Sequence, residues 1–317
     1  KTMVTRVAHG SGCSYFEEPG EKKNSISADH GYADRMEADG KTNVQDFALE
    51  MHEVYDIFHD IGFDVDMLNF AACHMGQVEV IDNLSSNIKY AMASPSYGYT
   101  SDLYVHTKLL KDINGGNINA EELGRKYIDY YVERLNSHKD DFYPSVKALY
   151  DMSEYKPFVN SFAVFSDELY TFLDNNPGSL EHFRDDVLNT NSTTIQSYYD
   201  SSGAINPHKV DEKDLLGLLD YFRSNPEKYN NSLSDSASNL YDLLDDVLVY
   251  SKHSEGSETM LLYELDGETV DKNQEIFTYK NSNGLSIFVE DYYSYRKLWF
   301  NQATDWYKVL DLTDDTI

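Results

Sequence analysis

Apolar residues recur along this chain in two periods. Met3-Val4-Thr5-Arg6-Val7-Ala8 is a short β-like run that leads into His9-Gly10-Ser11-Gly12. From Val44 onward, Phe47, Ala48, Met51, Val54, Tyr55, Phe58 and Ile61 fall at three- and four-residue steps, which predicts an amphipathic helix stopped by Gly62. Val65 to Ala72 reads as a strand that breaks at Cys73. Met75 to Leu84 restarts a helical pattern with Val78 and Ile81 on one face, and Ile88 to Ser94 is a further strand closed by Pro95. Residues 120–136 predict a helix with Leu123, Tyr127, Ile128, Tyr131, Val132 and Leu135 inward. Strands alternating with helices in this way predict an α/β fold with a mainly parallel, helix-covered sheet.

Two stretches break the rhythm. Residues 13–43 carry many breakers and no sustained period, so they predict a long exposed loop with room for one small β-ribbon. After Asn136 the chain mixes helical patterns at 166–174, 211–223 and 235–252 with β-rich segments at Met260–Leu265 and Leu285–Val289. The expected organisation is therefore a domain over 1–136 followed by a helical and β-containing region over 137–317.

Composition narrows the function. With 26 Lys+Arg against 55 Asp+Glu the net charge is −29, which repels phosphate backbones, so nucleic acid is excluded as an expected partner. No run approaches the ~20 apolar residues of a membrane span. Only Cys13 and Cys73 are present, too few for a disulfide framework and without zinc spacing.

In an open parallel sheet, reactive groups gather beyond the carboxyl ends of the strands. His9 follows one strand, and Cys73 ends another, 64 positions later. An imidazole serves as general acid or base and a thiolate as nucleophile. A helix starting directly after Cys73 would favour the thiolate through its free N–H groups. Gly10, without a side chain, lets its backbone N–H approach a substrate carbonyl and hold a developing oxyanion. These parts suit acyl transfer. The bland reading of each residue alone is a packed or capping group; it is the pairing that points to chemistry. Cys13 reads as structural, His30 as a weaker competing base, and His74 as pointing off the strand–helix corner.

At these residues the chain resembles the clostripain family of cysteine peptidases, related in fold to caspases, gingipains and legumain. The resemblance rests on Ala8-His9-Gly10-Ser11-Gly12 and on Phe70-Ala71-Ala72-Cys73-His74-Met75-Gly76-Gln77-Val78-Glu79-Val80. Val210-Asp211 to Leu219 is similar to the family's Asp-Leu helix, and Asn283-Gly284-Leu285-Ser286-Ile287-Phe288 with Thr304-Asp305-Trp306 to its C-terminal block. The resemblance implies a caspase-like three-layer α/β/α sandwich, a polypeptide substrate, His9 as catalytic base, Cys73 as nucleophile, and oxyanion donors at the backbone of Gly10 and Cys73. It also implies a bacterial protein that is secreted or at the cell surface.

Two departures qualify this. The family usually has Asp where this chain has Ala71, and that aspartate attracts the Arg or Lys preceding the cut; the Arg/Lys preference is therefore not carried over. Asp102 is a candidate replacement, and Tyr97 and Tyr99 are candidates to line the substrate cleft. The second departure is upstream: relatives have further strands there, so we expect preceding residues or a separate N-terminal light chain. Relatives are commonly zymogens cut between the histidine and the cysteine, and Lys23-Asn24 is the expected processing bond if a basic preference survives, with Arg35-Met36 second. Calcium is the one cofactor the resemblance implies. Yet Asp242, Asp245 and Asp246 and the acidic tail Asp311, Asp314 and Asp315 lack an Asp-x-Asp-x-Asn-Gly loop, and no metal ligand is assigned. The rival functions are a catalytically degenerate module that binds peptides or a surface partner, and a transpeptidase using the same thioester.

Overall fold

The computed structural model describes residues 2–7, 10–12, 25–26, 49–84, 86–95, 98–99, 103–137, 144–188, 197–199, 212–255, 258–260, 275–279, 282–289 and 299–313. Its centre is a five-stranded sheet of β1 (Met3–Val7), β5 (Val65–Ala71), β6 (Ile88–Ala93), β7 (Val146–Asp151) and β10 (Leu248–His253), in the order β1-β5-β6-β7-β10. β1, β5 and β6 pair in parallel. β7 runs against both β6 and β10, so four of the five strands point the same way.

Side chains alternate across this sheet and build two cores. Leu68, Phe70, Ala91, Ala93, Ala148 and Tyr150 face one core, and Met67, Tyr90, Met92 and Leu149 face the other. The first is covered by α1 (Met51–Asp60), α5 (Met152–Asn175), α6 (Pro177–Phe183), α7 (Leu215–Ser224) and α8 (Asn231–Val247). The second is covered by α3 (Leu103–Gly115) and α4 (Ala120–Ser137), with Tyr127, Ile128, Tyr131, Val132 and Leu135 inward. Helices on both faces make the expected three layers. The sheet runs across position 136, since β7 and β10 come from the later region.

Several elements differ from the sequence expectation. The helix expected from Val44 begins at Met51, because Leu49–Glu50 is a short strand, β4, that pairs with β3 (Ser25–Ile26), which also pairs with β2 (Gly10–Gly12). This ribbon lies partly in the predicted 13–43 loop. The helix expected over 211–223 starts at Leu215, after β9 (Glu212–Asp214), and the one over 166–174 is the C-terminal part of α5, which begins at Met152. The pattern at 235–252 splits into α8 and β10: Leu248-Val249-Tyr250 suits a pleated surface, and pairing with β7 overrides helical continuation. Of the 260–265 strand, Met260 closes β11 (Glu258–Met260), and 261–265 lie outside the described residues. β11 pairs with β12 (Glu275–Thr278), which pairs with β8 (Ser197–Tyr199).

The last part of the chain is tied back under the sheet. Asp214 is buried. It accepts hydrogen bonds from the Gly217 N–H (2.8 Å) that opens α7, and from the Asn283 N–H (2.7 Å) and Nδ2 (2.8 Å). Burial pushes its carboxyl up to about 6, against the pull of those donors. Gly284, at φ +108°, gives its carbonyl to the Tyr150 hydroxyl at 2.6 Å. β13 (Ser286–Phe288) pairs with β9. Trp306, buried at the start of α10 (Trp306–Asp311), donates its indole N–H to the Phe288 carbonyl at 3.1 Å and packs edge-on against Phe162. α9 (Trp299–Thr304) precedes it.

Candidate active site

The site begins with register. Val7 of β1 lies opposite Ala71 of β5, the last rung of a parallel pair. Cys73 follows Ala71 by two residues and His9 follows Val7 by two; His9 lies outside the described residues. Gly10 opens β2 and is paired with Ile26.

Cys73 is a free, half-buried thiol in the turn after β5. The strand ends there because His74 takes a left-handed backbone, φ 55°, and the Gly76 N–H then bonds to the Ser94 carbonyl at 2.9 Å. The structure corrects one expectation here: no helix starts at Cys73. Residues 73–77 are turn and extended chain, and α2 (Val78–Ile81) opens only after Gln77, which bridges to Ser286. The helix-terminal N–H groups therefore do not face the sulfur. What does face it is Gly98, whose N–H and carbonyl oxygen each lie 3.4 Å from Sγ. A side chain at 98 would not fit, since a Cβ there would stand 2.4 Å from the Ala72 carbonyl oxygen.

Behind Cys73 lies a row of residues on one face of the sheet. Continuing the register of the pairs Asn69↔Met92 and Ala93↔Ala148 puts Ala71, Ser94 and Lys147 side by side at the ends of β5, β6 and β7, on the α3/α4 face. All three are fully buried. The Lys147 Nζ crosses β6 to donate to the Phe70 carbonyl at 2.5 Å and sits 5.8 Å from the centre of the Tyr131 ring. Burial pushes the amine down to about 7, and the nearby Cys73 sulfur pulls it back up. Among the described residues no carboxylate pairs with it. Asn69, one row below Ala71, has neither amide atom hydrogen-bonded, and the Ser94 hydroxyl is also without a partner. The Tyr131 hydroxyl accepts the Tyr99 N–H at 3.0 Å and shares a hydrogen bond of 3.0 Å with Ser145 Oγ.

Of the other residues singled out, Tyr99 is half-buried beside this row, while Tyr97, Asp102, Lys23, Arg35, Cys13 and His30 lie outside the described residues. Asp242, Asp245 and Asp246 are exposed on α8, and among the described residues no group of three His, Cys, Asp or Glu could hold a metal. Lys147, Asn69, Ser94 and Gly98 escaped the sequence reading. A lone lysine inside Val146-Lys147-Ala148-Leu149-Tyr150, and an asparagine inside Val65–Ala71, were the available signals: polar residues at positions a buried strand fills with apolar ones.

Comparison with protein families matches the Clostripain family model over residues 16–312. The chain belongs to the clostripain family. It is thus a cysteine peptidase, a hydrolase, and the matched span includes Cys73 but starts after His9. Comparison with curated proteins found no match. Solved structures share the fold at low identity. A secreted C11 cysteine protease from Bacteroides thetaiotaomicron, in complex with an irreversible peptide inhibitor, is 13% identical with a TM-score of 0.55, over 98% of this chain and 72% of that one. An inactive zymogen C11 protease from Parabacteroides distasonis is 12% identical, TM-score 0.52, over 95% and 69%. A B. fragilis cysteine protease is 16% identical, TM-score 0.51, over 82% and 94%. No helix among the described residues is long and apolar enough to cross a membrane.

Proposed function

We propose that this clostripain family member cleaves peptide bonds within polypeptides through a dyad of Cys73 and His9. The Cys73 thiolate attacks the scissile carbonyl, a C–S bond forms, and the backbone N–H groups of Gly10 and Cys73 hold the oxyanion. Collapse breaks the C–N bond while His9 gives its proton to the departing amine. Water, deprotonated by His9, then attacks the thioester and frees the sulfur. The single observation that carries this is the Val7↔Ala71 rung, because His9 and Cys73 each follow it by two residues along parallel neighbours.

A peptidyl acyloxymethyl ketone tests it. Covalent labelling that maps to Cys73, disappears in Cys73→Ala and falls at least 100-fold in rate in His9→Ala is the expected result. Absence of labelling across varied residues before the cut favours a second reading, a degenerate peptide-binding module. The observation on that side is the Gly98 backbone, whose N–H and carbonyl oxygen both contact Sγ.

The 13–43 interval is the proposed site of zymogen cleavage, at Lys23-Asn24 and then Arg35-Met36. The zymogen state of the P. distasonis relative supports this, as the secreted B. thetaiotaomicron relative supports export from a bacterium.

A further inference from the structure

A fully buried amine requires a partner, because desolvating a cation costs several kcal/mol that a single carbonyl does not return. Among the described residues the Lys147 amine has one hydrogen-bond acceptor, the Phe70 carbonyl, and lies over the face of Tyr131, with the Cys73 sulfur near enough to act on its charge. Around it, within one row of the sheet, stand the orphaned amide of Asn69 and the orphaned hydroxyl of Ser94, both fully buried. Three hydrogen-bonding groups are thus gathered with no carboxylate beside them among the described residues. They sit under the nucleophile: Phe70 precedes Cys73 by three residues, and Gly98, in contact with Sγ, lies so close to Ser94 that a Cβ on it would stand 3.0 Å from Ser94 Oγ. The side chain before a scissile bond hangs from the carbon next to the attacked carbonyl, so a short side chain there reaches only a few ångströms from the sulfur.

We propose that this row is the specificity pocket and that Lys147 makes it select an acidic side chain, aspartate or glutamate, before the cut. The proposal rests on the peptidase reading above and deepens it. A carboxylate in the pocket pairs with the Lys147 ammonium, while Asn69 Nδ2 and the Ser94 hydroxyl complete its acceptor sites. Ala71, at the end of the same row, supplies no competing negative charge. Admission of the side chain requires Gly98 and Tyr99 to lift. Gly98 is tied there by two 3.4 Å contacts to the sulfur and the Tyr99 N–H by the Tyr131 hydroxyl, contacts that a bound peptide has to replace. Under this reading Lys23 and Arg35 are bonds for another peptidase, and self-cleavage in the 13–43 interval falls after acidic residues such as Asp29, Asp34 or Asp39.

The test uses acyloxymethyl ketones sharing one peptide sequence and differing only in the last residue: aspartate, glutamate, norleucine or lysine. On the wild-type chain, aspartate or glutamate is expected to label Cys73 at least roughly 30-fold faster than lysine. Lys147→Met and Lys147→Gln are expected to collapse the acid-to-norleucine ratio roughly 10-fold or more. A merely structural lysine would instead slow all four probes alike. Faster labelling by the lysine probe overturns the pocket assignment while leaving the peptidase reading intact, and so does an acid-to-norleucine ratio unchanged in both variants. No labelling by any probe overturns both. The wild-type ranking decides the matter even where a variant fails to fold.

Discussion

Lys147 is held where water cannot solvate its ammonium, and this has a signature in stability. Its amine falls from 10.5 to about 7 through burial. Between those values the unfolded chain holds the proton and the folded chain sheds it, so stability should rise as pH climbs from 7 towards 10. Below about 7 the folded molecule carries the whole penalty, at most on the order of 5 kcal/mol. The ionisable groups nearest it are Cys73 and the Tyr131 hydroxyl, which burial holds above its ordinary range. Lys147→Met should therefore be more stable than wild type at pH 6.5, with a flatter dependence above it, in urea melts at several pH values. A variant that gains stability while losing acidic preference would mark Lys147 as retained for function at a structural cost.

The elements legible in the sequence are those whose apolar pattern is either a nearly continuous run or a single helical stripe. β5 and β6 were readable as mostly apolar runs that feed both cores, and α4 as one inward stripe. α3 was not: Leu103, Leu110 and Ile113 are exposed on it while only Val105 and Leu109 are buried, so the apolar stripe blurs. It is instead held to α4 by Lys108 and Tyr104, which both bond Glu133. β7 was hidden by the lysine in its middle. β10 was hidden by running straight on from α8, with its own partner strand unrecognised. Cys73, Gly10 and Ala71 could be named from the sequence as candidates because they follow strand ends or stand within a motif. Lys147 and Asn69 could not, because their adjacency depends on which strands neighbour one another. At this scale Gly284 is the most demanding joint: φ is +108° and a Cβ would stand 2.8 Å from the Cβ atoms of both Ala148 and Ser251. Gly284→Ala should destabilise the fold by about 2 to 4 kcal/mol, read as a lowered denaturation midpoint. Because Tyr150 bonds the Gly284 carbonyl, the loss should be felt in the central sheet as well as in the C-terminal block.

For the whole molecule the comparison that matters is wild type against Cys73→Ala after equal storage, by intact mass. Fragments from a cut between residues 13 and 43 in the wild type alone would show that the molecule processes itself. Equal fragments in both would assign the cut to another peptidase. The masses also give the residue before each cut, so an acidic residue in the wild-type-only set supports the Lys147 pocket from a direction that uses no probe. A tenfold dilution that leaves the rate constant unchanged would make the cut intramolecular.

The chain has 2 tryptophans, and they occupy contrasting surroundings: Trp306 is fully enclosed and bonded to the Phe288 carbonyl, whereas Trp299 is 41% exposed. The molecule thus carries its own optical gauge. Iodide should quench the red-shifted emission of Trp299 and spare the blue-shifted emission of Trp306. Release of the C-terminal block would then appear as a shift in colour at a denaturant concentration of its own, visible without any added dye.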